Sequence, residues 1–308
     1  MKSVEQQGLK MIQSIFDIQT YIEKQSQRAD KILKEILSPK VEYSKILFDS
    51  MRYSLFAGGK RLRPVLVIAA YEAFSNTNDS MLPIACATEM IHCYSLIHDD
   101  LPCMDDDDLR RGLPTNHKVY GEGMAVLSGD GLQALAFQII AEATGFEAEI
   151  KNQLVLELSR ASGAYGMVGG QAEDLVNETK QVNATQLEFI HMHKTAALIA
   201  ASVVMGVIAS GQNVSVQNIF RDFGHKIGLA FQIIDDVLDE EATSAQLGKS
   251  AGKDAIQKKM TYPSLLGLTE SKQKARMLIE EALSLIQNFG EKVWPLQALA
   301  QFILSRQH

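Results

Sequence analysis

The apolar residues of this chain recur at steps of three and four along its length, with no sustained alternation. Leu9, Ile12, Ile15 and Phe16 keep that spacing near the start, and Ala275, Leu278, Ile279, Ala282, Leu283 and Ile286 near the end. Such steps line up one face of a helix, whereas a half-buried strand needs a period of two. All seven prolines (Pro39, Pro64, Pro83, Pro102, Pro114, Pro263, Pro295) fall where a helix can begin or end. Proline belongs there because it lacks a backbone donor and clashes with the preceding turn. The pattern predicts an all-α chain with helices near 6–37, 42–57, 64–74, 82–100, 123–142, 149–163, 165–178, 185–210, 216–239, 261–268, 272–288 and 294–305. No linker, composition shift or tandem repeat divides it, so residues 1–308 read as a single domain with a sizeable core. Residues 1–40 read as a helical arm of that domain, for packing or dimerisation.

Segments 84–97, 124–140 and 195–210 are apolar nearly all round and are expected to be central. Small residues cluster from Ala161 to Ala172, for close helix packing or for ligand contact. The uncharged run Thr195–Phe220 is interrupted by polar and glycine residues. Its apolar part, about 15 residues, falls short of the roughly 20 that a membrane span needs. Three cysteines without CxxC spacing read as reduced thiols of a cytoplasmic protein, and residues 1–5 carry no apolar signal core. A net charge of −7 argues against a general nucleic-acid surface.

Two acidic clusters stand out against this background. Asp99, Asp100, Asp105, Asp106, Asp107 and Asp108 put six carboxylates within ten residues at the end of an apolar helix. Like charges this close repel and raise one another's pKa, a penalty that a hard divalent cation such as Mg²⁺ removes. Asp99 and Asp105 sit about 240° apart on an ideal helix. Pro102 must end or kink the helix, and a bulged turn can then bring Asp105 back beside Asp99. Asp106 to Asp108 read as outer or solvated, and Asp100 as intermediate. In the second cluster, Asp235 and Asp239 share a helix face and Asp236 lies on its flank. A metal site is the better reading there, and a solvated helix face the other.

Basic residues gather at helix ends. Gly58-Gly59-Lys60-Arg61-Leu62-Arg63-Pro64 precedes a helix start, Arg110 and Arg111 follow the first acidic run, and Lys194-Thr195 heads an apolar helix. Lys249, Lys253, Lys258 and Lys259 follow the second cluster. Carboxylates holding Mg²⁺, with lysine and arginine balancing the remaining charge, suit a metal-bridged polyphosphate. His92 shares a face with Asp99 and could donate to a phosphate; His98 reads as a structural partner. His191 and His193, two apart, do not face each other as a zinc pair would.

The block Glu89–Asp105 with Arg110-Arg111-Gly112 resembles the first aspartate-rich motif of trans-isoprenyl diphosphate synthases. Gly58–Pro64, Gly166–Gln171, Lys194-Thr195, Phe231–Asp239 and Leu247-Gly248-Lys249 match the family's other signatures in order. The likeness runs from about residue 40 to the C-terminus and is nearest to bacterial farnesyl diphosphate synthases (geranyltranstransferases). It implies an all-α terpenoid-synthase fold of roughly 10–13 helices around a central apolar cavity, and a homodimer. It also implies a transferase that ionises dimethylallyl or geranyl diphosphate and joins the cation to isopentenyl diphosphate, with loss of a proton. Three Mg²⁺ ions, for which Mn²⁺ can substitute, would be held by Asp99, Asp105 and Asp235, with Asp100 and Asp239 alongside. The resemblance assigns Arg110, Lys194, Thr195, Gln232, Asp235, Lys249 and Lys259 to the allylic diphosphate; for the last, Lys258 is an adjacent alternative. Gly59, Lys60, Arg63, His92 and Arg111 go to isopentenyl diphosphate.

Tyr94 lies about 7.5 Å down the helix axis from Asp99. An aromatic residue there, with the two-residue expansion of the first motif, accompanies farnesyl (C15) products in the family; Ser95 beside it is small. Geranylgeranyl (C20) synthesis is the alternative. A terpene cyclase and a non-catalytic partner subunit are the rivals, against which stand the Lys60/Arg63 pair and the retention of both acidic motifs.

Overall fold

The structure, a computed structural model, describes residues 16–38, 44–177, 180, 182–246 (side chains to 242) and 260–306. Helices dominate it: α1 (Ile18–Ile36), α2 (Lys45–Leu55), α3 (Leu62–Glu72), α4 (Leu82–Asp99), α5 (Asn116–Tyr120), α6 (Glu122–Glu142) and α7 (Ala148–Ser162) come first. They are followed by α8 (Met167–Asn177), α9 (Ala184–His191), α10 (Ala197–Ala209), α11 (Val214–Gln246), α12 (Tyr262–Leu266), α13 (Leu268–Ile286) and α14 (Trp294–Ser305). The helices foreseen from the sequence are present among the described residues, with three additions. These are the short α5, two 3₁₀ turns at 287–289 and 291–293, and a two-residue antiparallel ladder, β1 (Leu109–Arg110) with β2 (Leu113–Pro114). Elements this short give no periodicity to read. The part of the foreseen N-terminal helix before residue 16 lies outside the described residues.

Helix ends follow local chemistry. Asp17 caps α1 through hydrogen bonds from the Gln19 and Thr20 amides, and Asn183 with Gln186 closes a reciprocal capping box on α9. The foreseen helix 185–210 is continuous from 184 to 209 but contains a π turn over Met192–Ala196. A π turn inserts one residue into the helical ladder, and this one carries Lys194 and Thr195.

Two apolar clusters build the core. One gathers α1, α2, α4, α6 and α7 around Met90, Tyr94 and Leu132. The other gathers α3, α11, α13 and α14 around Phe220, Phe223 and Ile279. Every residue of α10 from Leu198 to Ala209 is buried, and the helix is shared: Leu198, Val204, Met205, Ile208 and Ala209 belong to the first cluster and Ile199, Val203 and Val207 to the second. The expectation of central helices therefore holds for α4 and α10.

It fails for α6, whose buried residues Ala125, Ser128, Gly129, Leu132, Ala136, Ile139 and Ile140 mark one face only. On the other face Val126 and Leu127 are exposed. Hydropathy alone does not say which apolar faces a single chain covers. Helices α6 and α9–α10 are long and apolar enough to cross a membrane by length and composition, but the apolar stretch of α9–α10 is mostly buried within the protein.

Candidate active site

The first acidic cluster is shaped by the end of α4. After Asp99 the chain leaves the helix at Leu101-Pro102. The Asp105 amide then donates to the Asp99 carbonyl at 2.8 Å, and the Met104 and Asp106 amides donate to Leu101. This is the bulged turn that Pro102 demands, closed by Asp106 in the left-handed region (φ 49°). Burial raises the Asp99 carboxyl to about 6, with Lys194 opposing and Asp105 reinforcing the shift.

Asp100, expected among the metal ligands, is engaged by an arginine. It is buried, and Nε and Nη2 of Arg110 reach its Oδ1 at 2.7 and 2.6 Å. Successive helical residues face about 100° apart, so Asp100 points to a different side of α4 from Asp99. Arg110 also approaches Asp107 at 3.6 Å, and Lys118 pairs with Asp108 at 2.7 Å.

On α11, Asp235 is partly exposed and Asp239, one turn on, is exposed. Burial raises Asp235 to about 6, with Arg306 opposing. Arg306, directly after α14, donates from Nη2 to Asp235 Oδ1 at 2.5 Å and to the Phe231 carbonyl at 2.7 Å. Its guanidinium carbon lies 3.7 Å from the centroid of the Phe231 ring. Neither Arg306 nor Phe302, which line the adjoining cavity, was foreseen. A basic residue near a chain end carries no motif, and only the packing of α14 brings it here.

That cavity, of about 190 Å³, brings together Lys60, Arg63, His92 and Arg111, the group foreseen for one diphosphate, with Glu89, Phe231, Phe302 and Arg306. Gly59 (φ 114°) adopts a conformation that side chains avoid, and a Cβ there would fall 2.7 Å from the Arg111 guanidinium. Arg111 in turn donates to the Gly58 carbonyl. Arg61 is buried in the same loop, with Nε 2.8 Å from Asp30 and Nη1 3.0 Å from Glu89. Burial pushes Arg63 down to about 10 and leaves its Nε without a partner. Burial, then the charges of Arg63 and Arg111, holds His92 well below the usual imidazole range. A neutral imidazole among several guanidinium groups is an environment short of an anion.

A third group links the two acidic motifs. Lys194 donates to Asp174 at 2.6 Å and acts on Asp99. The Thr195 hydroxyl donates to Gln232 Oε1 at 2.8 Å, and Gln232 Nε2 to Asp236 Oδ1 at 3.0 Å. Asp174 was not foreseen; its only signal is an acid within a glycine-rich, apolar segment. Close approach is built in at Gly170, where a Cβ would lie 2.2 Å from the Lys194 amide nitrogen. Packing is thus the use of this glycine in the small-residue stretch. Lys249 and Lys259 lie outside the described residues.

Tyr94 is buried in α4, with its ring edge-on to His98 at 5.7 Å between centroids. Ser95 donates to the His92 carbonyl at 2.9 Å and turns back on its own helix. His98 Nε2 lies 3.1 Å from the Val126 carbonyl, the structural role foreseen for it. His191 pairs with Asp236 at 3.0 Å, and among the described residues no three carboxylate, imidazole or thiol side chains form a ready-made metal cage.

A polyprenyl synthetase family model matches residues 44–295. The chain is 49% identical to a chloroplastic geranylgeranyl pyrophosphate synthase of Catharanthus roseus over 95% of this chain and 82% of the relative. It is 45% identical to a dimethylallyltranstransferase of Fischerella ambigua, over 97% and 86% of the two chains. Among solved structures, an FPP/GFPP synthase of Zymomonas mobilis superposes with a TM-score of 0.84 at 39% identity, covering 93% of this chain and 98% of that one. A putative farnesyl-diphosphate synthase of Marinomonas sp. MED121 gives 0.81 at 38% identity, covering 94% and 100%. With two acidic motifs joined through Lys194-Thr195 and a cationic cavity beside them, this chain is a prenyltransferase of the polyprenyl synthetase family.

Proposed function

We propose that the protein condenses isopentenyl diphosphate with dimethylallyl and then geranyl diphosphate, and that its main product is farnesyl diphosphate. The observation that carries the two-substrate reading is the 190 Å³ cavity, in which Lys60, Arg63, His92 and Arg111 converge with Arg306 beside Asp235. It offers one diphosphate a cationic seat. The second diphosphate would lie between the acidic motifs, held by Lys194, Thr195, Gln232 and Arg110, with Lys249 and Lys259 as further candidates.

Asp99, Asp105 and Asp235 would hold Mg²⁺, with Asp239 exposed one turn from Asp235. Hard carboxylate oxygens fit that ion, and burial, which raises both Asp99 and Asp235 to about 6, is a cost to their charged forms that a bound cation would offset. Phosphate oxygens of the substrate would complete the coordination. When bound, the ion stabilises negative charge on the departing diphosphate. The chain's own work is to orient both substrates, to place positive charge where the leaving group forms, and to keep water from the allylic cation behind the apolar walls of α4 and α10.

Product length rests on Tyr94. Its buried ring lies about 7.5 Å below Asp99 along α4 and would stop the growing chain there. The geranylgeranyl pyrophosphate synthase of C. roseus supports the C20 alternative by its name. The open face of α6 supports a homodimer. Incubation with Mg²⁺ and the two C5 diphosphates, followed by identification of the products, tests this reading. Mainly C15 product is expected. Mainly C20 product would overturn the role of Tyr94, and no prenyl product at all would favour a non-catalytic subunit.

A further inference from the structure

Asp236 stands between two candidate metal ligands of the second acidic motif, yet its side chain is committed to the protein. It is 7% exposed. Oδ1 accepts from Gln232 Nε2 at 3.0 Å, and Oδ2 accepts from His191 Nε2 and from the Tyr262 amide, each at 3.0 Å. The three donors come from three places in the fold: α11 itself, the last residue before the π turn, and the start of α12. We propose that Asp236 is a positioning residue for the allylic-diphosphate side, holding Thr195 and Lys194 in register through Gln232 and His191, rather than a metal ligand. This rests on the functional reading above.

An ionised carboxylate accepts at both oxygens and donates nothing, so it can satisfy three converging N–H groups at once. By taking the Gln232 amide nitrogen, Asp236 fixes which way that amide faces. Its oxygen is then left to accept from the Thr195 hydroxyl at 2.8 Å. His191 is held at the residue where the helix opens into the π turn. Lys194, which acts on Asp99, and Thr195 both lie in that turn. A single buried carboxylate thus connects the second acidic motif to groups that serve the first. Asparagine has the same shape, but would turn an N–H₂ toward at least one of the donors and release the amide orientation.

The test is Asp236→Asn in the full chain, with Asp235→Asn as the comparison. We expect Asp236→Asn to raise KM for the allylic diphosphate about tenfold, while KM for isopentenyl diphosphate and the half-activating Mg²⁺ concentration stay within about twofold. Asp235→Asn should instead raise the Mg²⁺ requirement. In a Gln232→Leu background the effect of Asp236→Asn should shrink to less than about threefold, as for two residues acting in series. His191→Ala removes one donor only; should Asp236→Asn fail to fold, it is expected to raise the same KM several-fold. A tenfold rise in Mg²⁺ requirement for Asp236→Asn, an equal rise in both KM values, or an undiminished effect in the Gln232→Leu background would overturn the proposal. Absence of prenyl transfer by the unsubstituted protein would count against the functional reading instead.

Discussion

Arg306 Nη2 sits 2.5 Å from Asp235 Oδ1 while the same guanidinium lies over the Phe231 ring. The first carboxylate of the second acidic motif thus has an internal cation as its partner, delivered by the C-terminal end of α14. On the proposed reading, a divalent ion would compete with this guanidinium for one carboxylate. Arg306 also lines the cavity of Lys60, Arg63 and His92. Arg306→Gln should therefore act in two directions. Isothermal titration of Mn²⁺ without substrate should show binding strengthened several-fold, the scale of one partly exposed ion pair. Steady-state kinetics should show KM for isopentenyl diphosphate raised by about tenfold, as for a lost charge-assisted contact.

Tyr94→Ala should lengthen the product beyond C15, read by chromatography of the dephosphorylated prenols. The substitution empties a buried aromatic site in the first core cluster. It should also lower unfolding stability by about 3–5 kcal/mol, as measured by denaturant titration. Unchanged product length together with that loss would leave Tyr94 a core residue only.

Glu89 and Arg61 are both almost fully buried, and their ion pair holds the loop that presents Lys60 and Arg63. Removing Glu89 leaves the buried Arg61 with Asp30 as its one remaining carboxylate partner. Glu89→Leu should cost about 1–3 kcal/mol in a denaturant titration, as for a buried group that loses one of two partners. Arg61→Leu with Glu89→Leu together should recover a large part of that loss, because neither charge is then stranded.

Asp99 and Asp235 titrate near 6 in the folded protein, against an ordinary carboxyl value of 3.8. Between roughly pH 4 and 6 the folded state then binds more protons than the unfolded one, so stability from these groups falls as pH rises through that window. Thermal melts without metal should show this decline. Mg²⁺ should stabilise most above about pH 6, where both carboxylates are free of protons. A metal effect of equal size at pH 4.5 and 7.5 would contradict it.

Much of the molecule could be read from the chain alone. Helical periodicity and the placement of proline determined the all-α fold, because a helix needs only local spacing and a permissible first turn. The return of Asp105 to Asp99 was legible for the same reason, since Pro102 leaves few local alternatives. The gathering of Lys60, Arg63, His92 and Arg111 came through the resemblance rather than from spacing. What the tertiary structure decided was partnership. Asp100 and Asp99 are chemically identical neighbours, and only packing gives one to Arg110 and leaves the other beside Asp105 and Lys194. The same holds for Asp236 with His191 and for Asp235 with Arg306, partners 45 and 71 residues apart. Local steric rules act within a turn or two of helix and are written in the sequence. Which carboxylate meets a cation, a metal or a hydrogen-bond donor depends on which distant surfaces the core brings together.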